Sequence, residues 1–255
     1  MTRVPFARFW LGVHQPNFLT LVAHPLFVSH RRLRDRKTLP RALGPWALDS
    51  GAYSEVDLHG TWHTTPAQYA AALTRYNDEI GNLQWAAPQD WTCEPAQVAK
   101  TGLSIEEHQR RSVASVLELR ALTDAVHIIP VLQGWTLPSY LRAAQMFADA
   151  GIDLASEPLV GVGSMCRRQN ALGATLILDE LVALNGRDAR PLRLHAFGFK
   201  TQGLLLARGS VHSADSMAWS AAGRREAGCS PSHASESNCL RYALSWREKL
   251  LAKLT

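Results

Sequence analysis

Two stretches far apart in the chain each end an apolar run in a carboxylate. Trp46, Ala47 and Leu48 lead into Asp49, Ser50, Gly51, Ala52 and Tyr53. Near the other end, the two-residue period of a strand puts Val211, Ser213 and Asp215 on one face. A strand that finishes in an acid, a hydroxyl and a glycine delivers the acid into a cleft. Gly51 lets the backbone turn there and leaves room for a flat ligand beside Asp49. Two carboxylates from distant strand ends suit displacement at a sugar carbon, where one attacks or stabilises the cation and the other moves protons. Taken singly, either acid is better explained as a cap on a turn at a strand end.

The elements that must position these acids follow from the apolar pattern. Strands are expected at Phe9–Val13, Leu26–Ser29, Trp46–Leu48, Leu83–Pro88, Ile128–Leu132, Leu159–Gly163, Leu194–Gly198 and Val211–Asp215. Their ends deliver His14, His30, Asp49, then Gln89, Asp90 and Trp91, then Gln133, Gly134 and Trp135, then Ser164 and Asp215. A polar loop with His59, Trp62 and His63 precedes a helix started by Thr65 and Pro66. Ser104 and Glu107 read as a capping box for a helix through Leu119. Further helices are expected at Leu137–Ala150, stopped by Gly151, and at Ala174–Leu184, ending near Gly186. Eight strands with mostly helical connections predict an α/β fold, a single-domain (β/α)8 TIM-like barrel over 1–225. Residues 226–255 are expected as a C-terminal Cys/His segment and helix packed on it. The active site of such a barrel lies at the carboxyl ends of the strands.

Composition narrows the classes. At 255 residues and 46% hydrophobic, the chain can bury a sizeable core. Apolar runs fall well short of the roughly 20 residues of a membrane span, which predicts a soluble, cytoplasmic protein without a membrane partner. The net charge of +5 and pI near 9.2 derive largely from arginine, densest at Arg31, Arg32, Arg34, Arg36 and Lys37, and suit an anionic partner as well as a solvated face. Four cysteines, Cys93, Cys166, Cys229 and Cys239, are too few and too spread for a disulfide scaffold; reduced thiols, with a metal at the last two, fit better.

Leu48-Asp49-Ser50-Gly51-Ala52-Tyr53 resembles the Asp-Ser-Gly-Gly-Phe strand of the tRNA-guanine transglycosylase superfamily. Gln89-Asp90-Trp91 falls where that family places a base-reading aspartate. Val131-Leu132-Gln133-Gly134 resembles its Val-Gln-Gly strand, Val160-Gly161-Val162-Gly163 its glycine-rich strand, and Asp215 its nucleophile. Each motif is short, but the ordered set spans about residues 9 to 245. Within the superfamily the chain is most similar to the deazapurine DNA modification proteins of DpdA type. It is shorter than typical tRNA enzymes, Trp135 follows Gln133-Gly134 where those enzymes carry another glycine, and the tail Asn238–Arg247 resembles the DNA group.

The resemblance implies a pentosyltransferase that exchanges guanine in DNA for a 7-deazaguanine such as preQ0 through a covalent aspartyl-sugar intermediate. Asp215 would be the nucleophile and Asp49 the proton shuttle. Ser50, Gly51, Tyr53, Asp90, Gln133, Gly134 and Gly163 would hold the base, with Tyr53 or Trp91 stacking on it. Arg31, Arg32, Arg34, Arg167 and Arg168 lie after predicted strand ends, where a phosphate backbone would run. The DNA would be single-stranded or carry a flipped base, and duplex-opening accessory proteins are compatible partners. No redox or nucleotide cofactor is implied. Cys229, His233 and Cys239, with Glu236 as fourth ligand, resemble a terminal zinc cluster, although the tRNA enzymes use three closely spaced cysteines and a later histidine. The alternatives are the same exchange on tRNA, a nucleoside hydrolase, and a basic nucleic-acid-binding module without catalysis.

Overall fold

Alternation along the strands sorts their side chains into two apolar layers. Phe9, Leu11 and Val13 of β1 (Arg8–Val13), Leu26 and Val28 of β2 (Leu26–Ser29), and Trp46 and Leu48 of β3 (Trp46–Asp49) belong to one large cluster with the helices. Trp10, Phe27 and Ala47, their neighbours in sequence, pack instead with Trp85, Ile129, Val131 and Leu159 in a separate cluster. That second cluster is the lining of a sheet curled upon itself. The structure is a computed structural model that describes residues 4–254 except 167, 169, 185–189 and 232.

β4 (Leu83–Ala86), β5 (Val131–Leu132), β6 (Val160–Val162), β7 (Leu194–Ala196) and β8 (Ser213–Ser216) complete an eight-stranded sheet. Its order is β4-β3-β2-β1-β8-β7-β6-β5, and every pairing is parallel. Register sets Asp49 opposite Ser29 and Asp215 opposite Trp10. The two ends of the order approach one another as well. Ala86 makes a parallel bridge to Ile128, its N–H donating to His127 O at 2.9 Å and its carbonyl accepting from Ile129 N at 3.1 Å.

Nine α-helices are present among the described residues: α1 (Ala52–His59), α2 (Pro66–Ile80), α3 (Pro95–Thr101), α4 (Ile105–Leu122), α5 (Leu137–Asp149), α6 (Ala171–Val182), α7 (Thr201–Leu206), α8 (Ala218–Gly223) and α9 (Leu240–Leu254). α2 starts as its sequence predicts, with a reciprocal capping box between Thr65 and Gln68 and a proline in its first turn. No described helix is long and apolar enough to cross a membrane.

Three expectations are corrected. Residues 52–59 form α1 rather than a polar loop, because Gly51 at φ 85 turns the chain, Val56 anchors the helix in the core, and Gly60 at φ 68 ends it. Ser104 caps α4 by accepting the Glu107 N–H at 3.1 Å, but the Glu107 carboxylate turns to Arg110 and Arg111 instead of returning to the cap, so only half of the box forms. Val211 precedes β8 and packs in the outer cluster, so it does not share the inner face of Ser213 and Asp215.

The C-terminal helix has no core of its own. Ala243, Leu250 and Leu254 of α9 join the outer cluster, and the Trp246 ring lies 6.0 Å from that of Phe9. Inside the curl of the sheet, Trp85 makes edge contacts with Trp10 at 5.7 Å and His195 at 4.8 Å. Replacing a buried aromatic by alanine removes both transfer energy and packing, so Trp85→Ala should destabilise the fold by about 3–5 kcal/mol. Urea unfolding followed by circular dichroism measures this directly.

Candidate active site

The carboxyl ends of the strands surround a cavity of about 390 Å³, within the roughly 300–1,000 Å³ of small-molecule sites. Asp49, Asp90, Glu94 and Asp215 all line it, with Phe27, Tyr53, Phe197 and Met217 supplying apolar walls. The aromatic cluster inside the sheet closes its floor. Four acids in one partly enclosed site cost desolvation and mutual repulsion, so the donors that hold each one define what it can do.

Asp215 is fixed through one oxygen. Its Oδ1 accepts the Gly198 N–H at 2.8 Å and lies 3.3 Å from His195 Nε2, a fully buried imidazole whose Nδ1 is 2.9 Å from the Ser213 hydroxyl. The contacts to Oδ1 come from the β7 side. Asp49 Oδ1 accepts the Gly51 N–H at 3.1 Å, and the Ser29 hydroxyl also donates to this carboxylate. Burial nonetheless pushes the Asp49 carboxyl above its ordinary range. The two hydrogen bonds pull against that rise, while the negative charge of Asp215 adds to it. Asp49 is thus inclined to hold a proton above the ordinary carboxylate range.

Asp90 heads a buried hydrogen-bond chain. The Ser50 hydroxyl donates to its Oδ1 at 3.4 Å, and Gln133 Nε2 donates to its Oδ2. Ser164 lies 2.8 Å from Gln133 Oε1 and 3.0 Å from Glu94 Oε2, and accepts the Cys93 N–H at 2.8 Å. The single Ser164 proton serves one of those two oxygens at a time. Burial raises the Asp90 carboxyl to about 7, against the lowering effect of the Gln133 amide. Asp49 and Glu94 push it further up.

The sequence-derived residues separate into several groups. Asp49, Tyr53, Asp90, Gln133, Gly163, Asp215, Arg31 and Arg32 line the cavity. Gly51 lies beside it, in a left-handed conformation and with the Arg31 stem 2.9 Å from where a Cβ would be. Ser50 acts through Asp90. Gly163 has its N–H bound to Leu132 O and its carbonyl to the Tyr140 hydroxyl, and the Gln133 amide occupies the space a Cβ would need. It clears room for Gln133 at the cavity wall. Gly134 is covered by the start of α5, with Ser139 Oγ 2.8 Å from a notional Cβ.

Trp91 faces away, beside His108 at 5.5 Å and under the Arg111 guanidinium at 4.5 Å. Arg34 is held by Glu55 at 2.8 Å. Arg168 donates to Trp135 O at 2.7 Å and stacks on the Trp135 ring at 4.5 Å. Both arginines are therefore engaged within the protein, and Arg167 lies outside the described residues. His30 is buried against Tyr76, 3.0 Å from its hydroxyl, and burial lowers its pKa to about 4, which makes it a neutral structural group.

Sequence reasoning missed Glu94, Ser164 and His195. Glu94 stands directly before Pro95 and reads as a helix cap. Ser164 carries one legible signal: it follows Gly163 at a strand end, and it takes φ 54, unusual for a residue with a side chain. His195 lies mid-strand and is indistinguishable by sequence from a core histidine.

Cys229, His233, Glu236 and Cys239 do converge. One ligand atom from each lies within 4.8 Å of all the others, and the Cys229 sulfur is 3.5 Å from that of Cys239 and 3.6 Å from His233 Nδ1. Glu236 is buried, and its Oε2 lacks a hydrogen-bond partner among the described residues. Two thiols, an imidazole and a carboxylate at this spacing could hold a metal ion.

Fold and site together define a parallel α/β protein with a carboxylate-lined pocket at its strand ends, the arrangement of an acid–base and group-transfer enzyme. The chain belongs to the DpdA family, DeoxyPurine in DNA protein A, whose model matches residues 6–255. Membership supports DNA modification by a transglycosylase as its general activity, with DNA as the substrate. A comparison with curated proteins finds no match. Among solved structures the chain is similar to a crystal structure of oxaloacetate acetylhydrolase, at 14% identity over 95% of this chain and 93% of that one, with a TM-score of 0.47. The same enzyme in complex with the inhibitor 3,3-difluorooxalacetate gives 12% identity over 97% and 81%, with a TM-score of 0.46.

A carboxyl that titrates at about 7 when folded and near the ordinary value of about 4 when unfolded binds its proton more tightly in the folded state. Between those values the Asp90 contribution therefore turns against folding as pH rises, and above about 7 it is constant. Asp90→Asn should gain stability relative to the parent between about pH 4 and pH 7. Denaturant titrations across that range test this, and parallel curves for the two proteins would contradict it.

Proposed function

We propose that this protein exchanges guanine in DNA for a 7-deazaguanine such as preQ0, with Asp215 as nucleophile and Asp49 as proton shuttle. The observation that carries the reading is the unequal holding of two acids across one cavity. Among the described residues the donors that meet Asp215 reach its Oδ1, while burial and its neighbour favour a proton on Asp49. In the first half-reaction Asp215 Oδ2 bonds to the sugar C1′ as the bond to guanine breaks, and Asp49 gives its proton to the departing base. In the second, the incoming deazapurine returns a proton to Asp49 and its nitrogen attacks C1′, releasing Asp215. The charge that develops on the sugar is stabilised by the carboxylate beside it.

Asp90, once ionised, accepts the N1–H and amino hydrogens of the base. Gln133 orients Asp90 with one amide hydrogen and retains a second for the base O6. Tyr53 and Met217 are the groups suited to cover the ring. Arg31 and Arg32, at the mouth, suit a phosphate backbone, and the target nucleotide would be single-stranded or flipped into the cavity. The Ala86–Ile128 bridge supports reading the curled sheet as a closed (β/α)8 barrel over 1–225, with 226–255 packed on it. Cys229, His233, Glu236 and Cys239 would hold a structural zinc that fixes the chain ahead of α9.

Asp215→Asn should lose both exchange and the covalent DNA adduct. Asp49→Asn keeps the shape but cannot shuttle a proton, so exchange should fall about 10²- to 10⁴-fold while some adduct persists. Denaturing gels of each variant with guanine-containing DNA, plus nucleoside mass spectrometry, read both effects. An adduct on Asp215→Asn that is absent from Asp49→Asn would reverse the two roles; wild-type exchange in both would take these two acids out of the chemistry, and no exchange by the unaltered protein would remove the transglycosylase reading. Labelled tRNA in place of DNA tests the alternative substrate.

The cysteine cluster should account for about one zinc, so Cys239→Ser should hold one equivalent less than the parent, with a loss of stability. Elemental analysis of both proteins under non-chelating conditions decides this.

A further inference from the structure

A second group of ligating side chains lies at α1, outside the cavity and outside the cysteine cluster. Glu55 and His59 are four residues apart and share one face of the helix. Gly60 then turns the chain at φ 68, and His63 returns to the same point. One ligand atom from each of Glu55, His59 and His63 lies within 4.8 Å of the other two. The two imidazole rings sit 4.0 Å apart, inclined by 31°.

Glu55 is only 2% exposed although its helix lies at the surface. Its Oε1 is taken by Arg34 at 2.8 Å, but Oε2 is buried and has no hydrogen-bond partner among the described residues. A carboxylate oxygen in that position is strongly unfavourable unless something positive meets it.

His63 is placed by tertiary contacts on both sides. Trp62 Nε1 donates to Asp90 O at 3.2 Å, and Gln89 Nε2 donates to Thr64 O at 2.7 Å. The segment is thus pinned to the end of β4, and the site does not depend on an unsupported loop.

We infer that Glu55, His59 and His63 bind a divalent transition-metal ion. Two imidazole nitrogens and one carboxylate oxygen suit zinc, cobalt, nickel or iron(II), and leave open positions for water. Glu55 Oε2 is the anchoring ligand, and Arg34 holds the other oxygen from outside as an outer partner that orients the carboxylate. The ion clamps α1 to the segment before α2. Because α1 carries Tyr53 to the cavity and follows Asp49 directly, the clamp steadies one wall of the pocket. This site does not rest on the base-exchange chemistry and stands or falls without it.

The test is a cobalt(II) titration of the full-length, tag-free, metal-stripped protein, followed by absorption spectroscopy. Cobalt at the cysteine cluster produces a thiolate charge-transfer band; cobalt at Glu55, His59 and His63 produces ligand-field absorption without it. Wild type should take up an equivalent lacking the thiolate band, whether or not the cysteine cluster fills. His59→Ala and His63→Ala, both at exposed positions, should each lose that equivalent while keeping the circular dichroism of the parent and whatever thiolate band the parent shows. Arg34→Gln should weaken it about 10- to 100-fold. The inference is overturned if all bound cobalt carries the thiolate band, or if the His63→Ala titration superimposes on that of wild type.

Discussion

Several carboxylates share one cavity above an aromatic floor, and the rest of the site depends on how that charge is held. Trp10, Phe27, Trp85 and Phe197 exclude water from beneath the acids, which raises the cost of every negative charge placed above them. The chain answers each acid with different donors. Gly198 N–H and His195 meet Asp215, Gly51 N–H and the Ser29 hydroxyl meet Asp49, and Ser50 with Gln133 meets Asp90. The acids consequently differ in the donors that meet them, and burial raises the carboxyls of Asp49 and Asp90. Acid–base and nucleophilic roles require such a difference between neighbouring groups of the same chemical type.

Space at the strand ends is regulated as closely as charge. Gly163 allows the Gln133 amide to lie across the backbone, and Gly12 does the same for Met217. Gly51 both turns the chain into α1 and lets the Arg31 stem pass close by. A side chain at any of these positions would displace a group that lines or orders the cavity. The cations around the mouth divide in the same way. Arg31 and Arg32 remain at the opening, whereas Arg34 and Arg168 are bound to Glu55 and to the Trp135–Tyr140 surface. The basic charge of the chain is therefore not equivalent to a basic groove, and its distribution narrows where a phosphate backbone can lie.

The C-terminal segment joins the two levels of organisation. α9 completes the outer hydrophobic layer, while the preceding cysteines, histidine and glutamate gather beside α8 in a segment with little regular structure. Short irregular chain of this kind buries little apolar surface, so a metal ion would supply the order that packing cannot.

The amino-acid sequence by itself determined the strand positions and the order in which they deliver polar residues, because strand periodicity and turn residues act over a few neighbours. Asp49, Asp90, Gln133 and Asp215 were legible at strand ends for that reason, as was the capped start of α2, while the four candidate metal ligands were legible from their residue types and the family resemblance. Boundaries softened where a strand shortened, as at β5, since pairing there depends on which neighbour is within reach. Only the tertiary structure decided the partners. Glu94 and Ser164 joined the site, Arg34 and Arg168 turned inward, Trp91 faced away, and Glu55 met two histidines across a helix end. Each of those outcomes depends on groups brought together by the curl of the sheet and by the loops above it. Hydrogen bonding and burial act through space, so the residue types alone left these contacts undetermined.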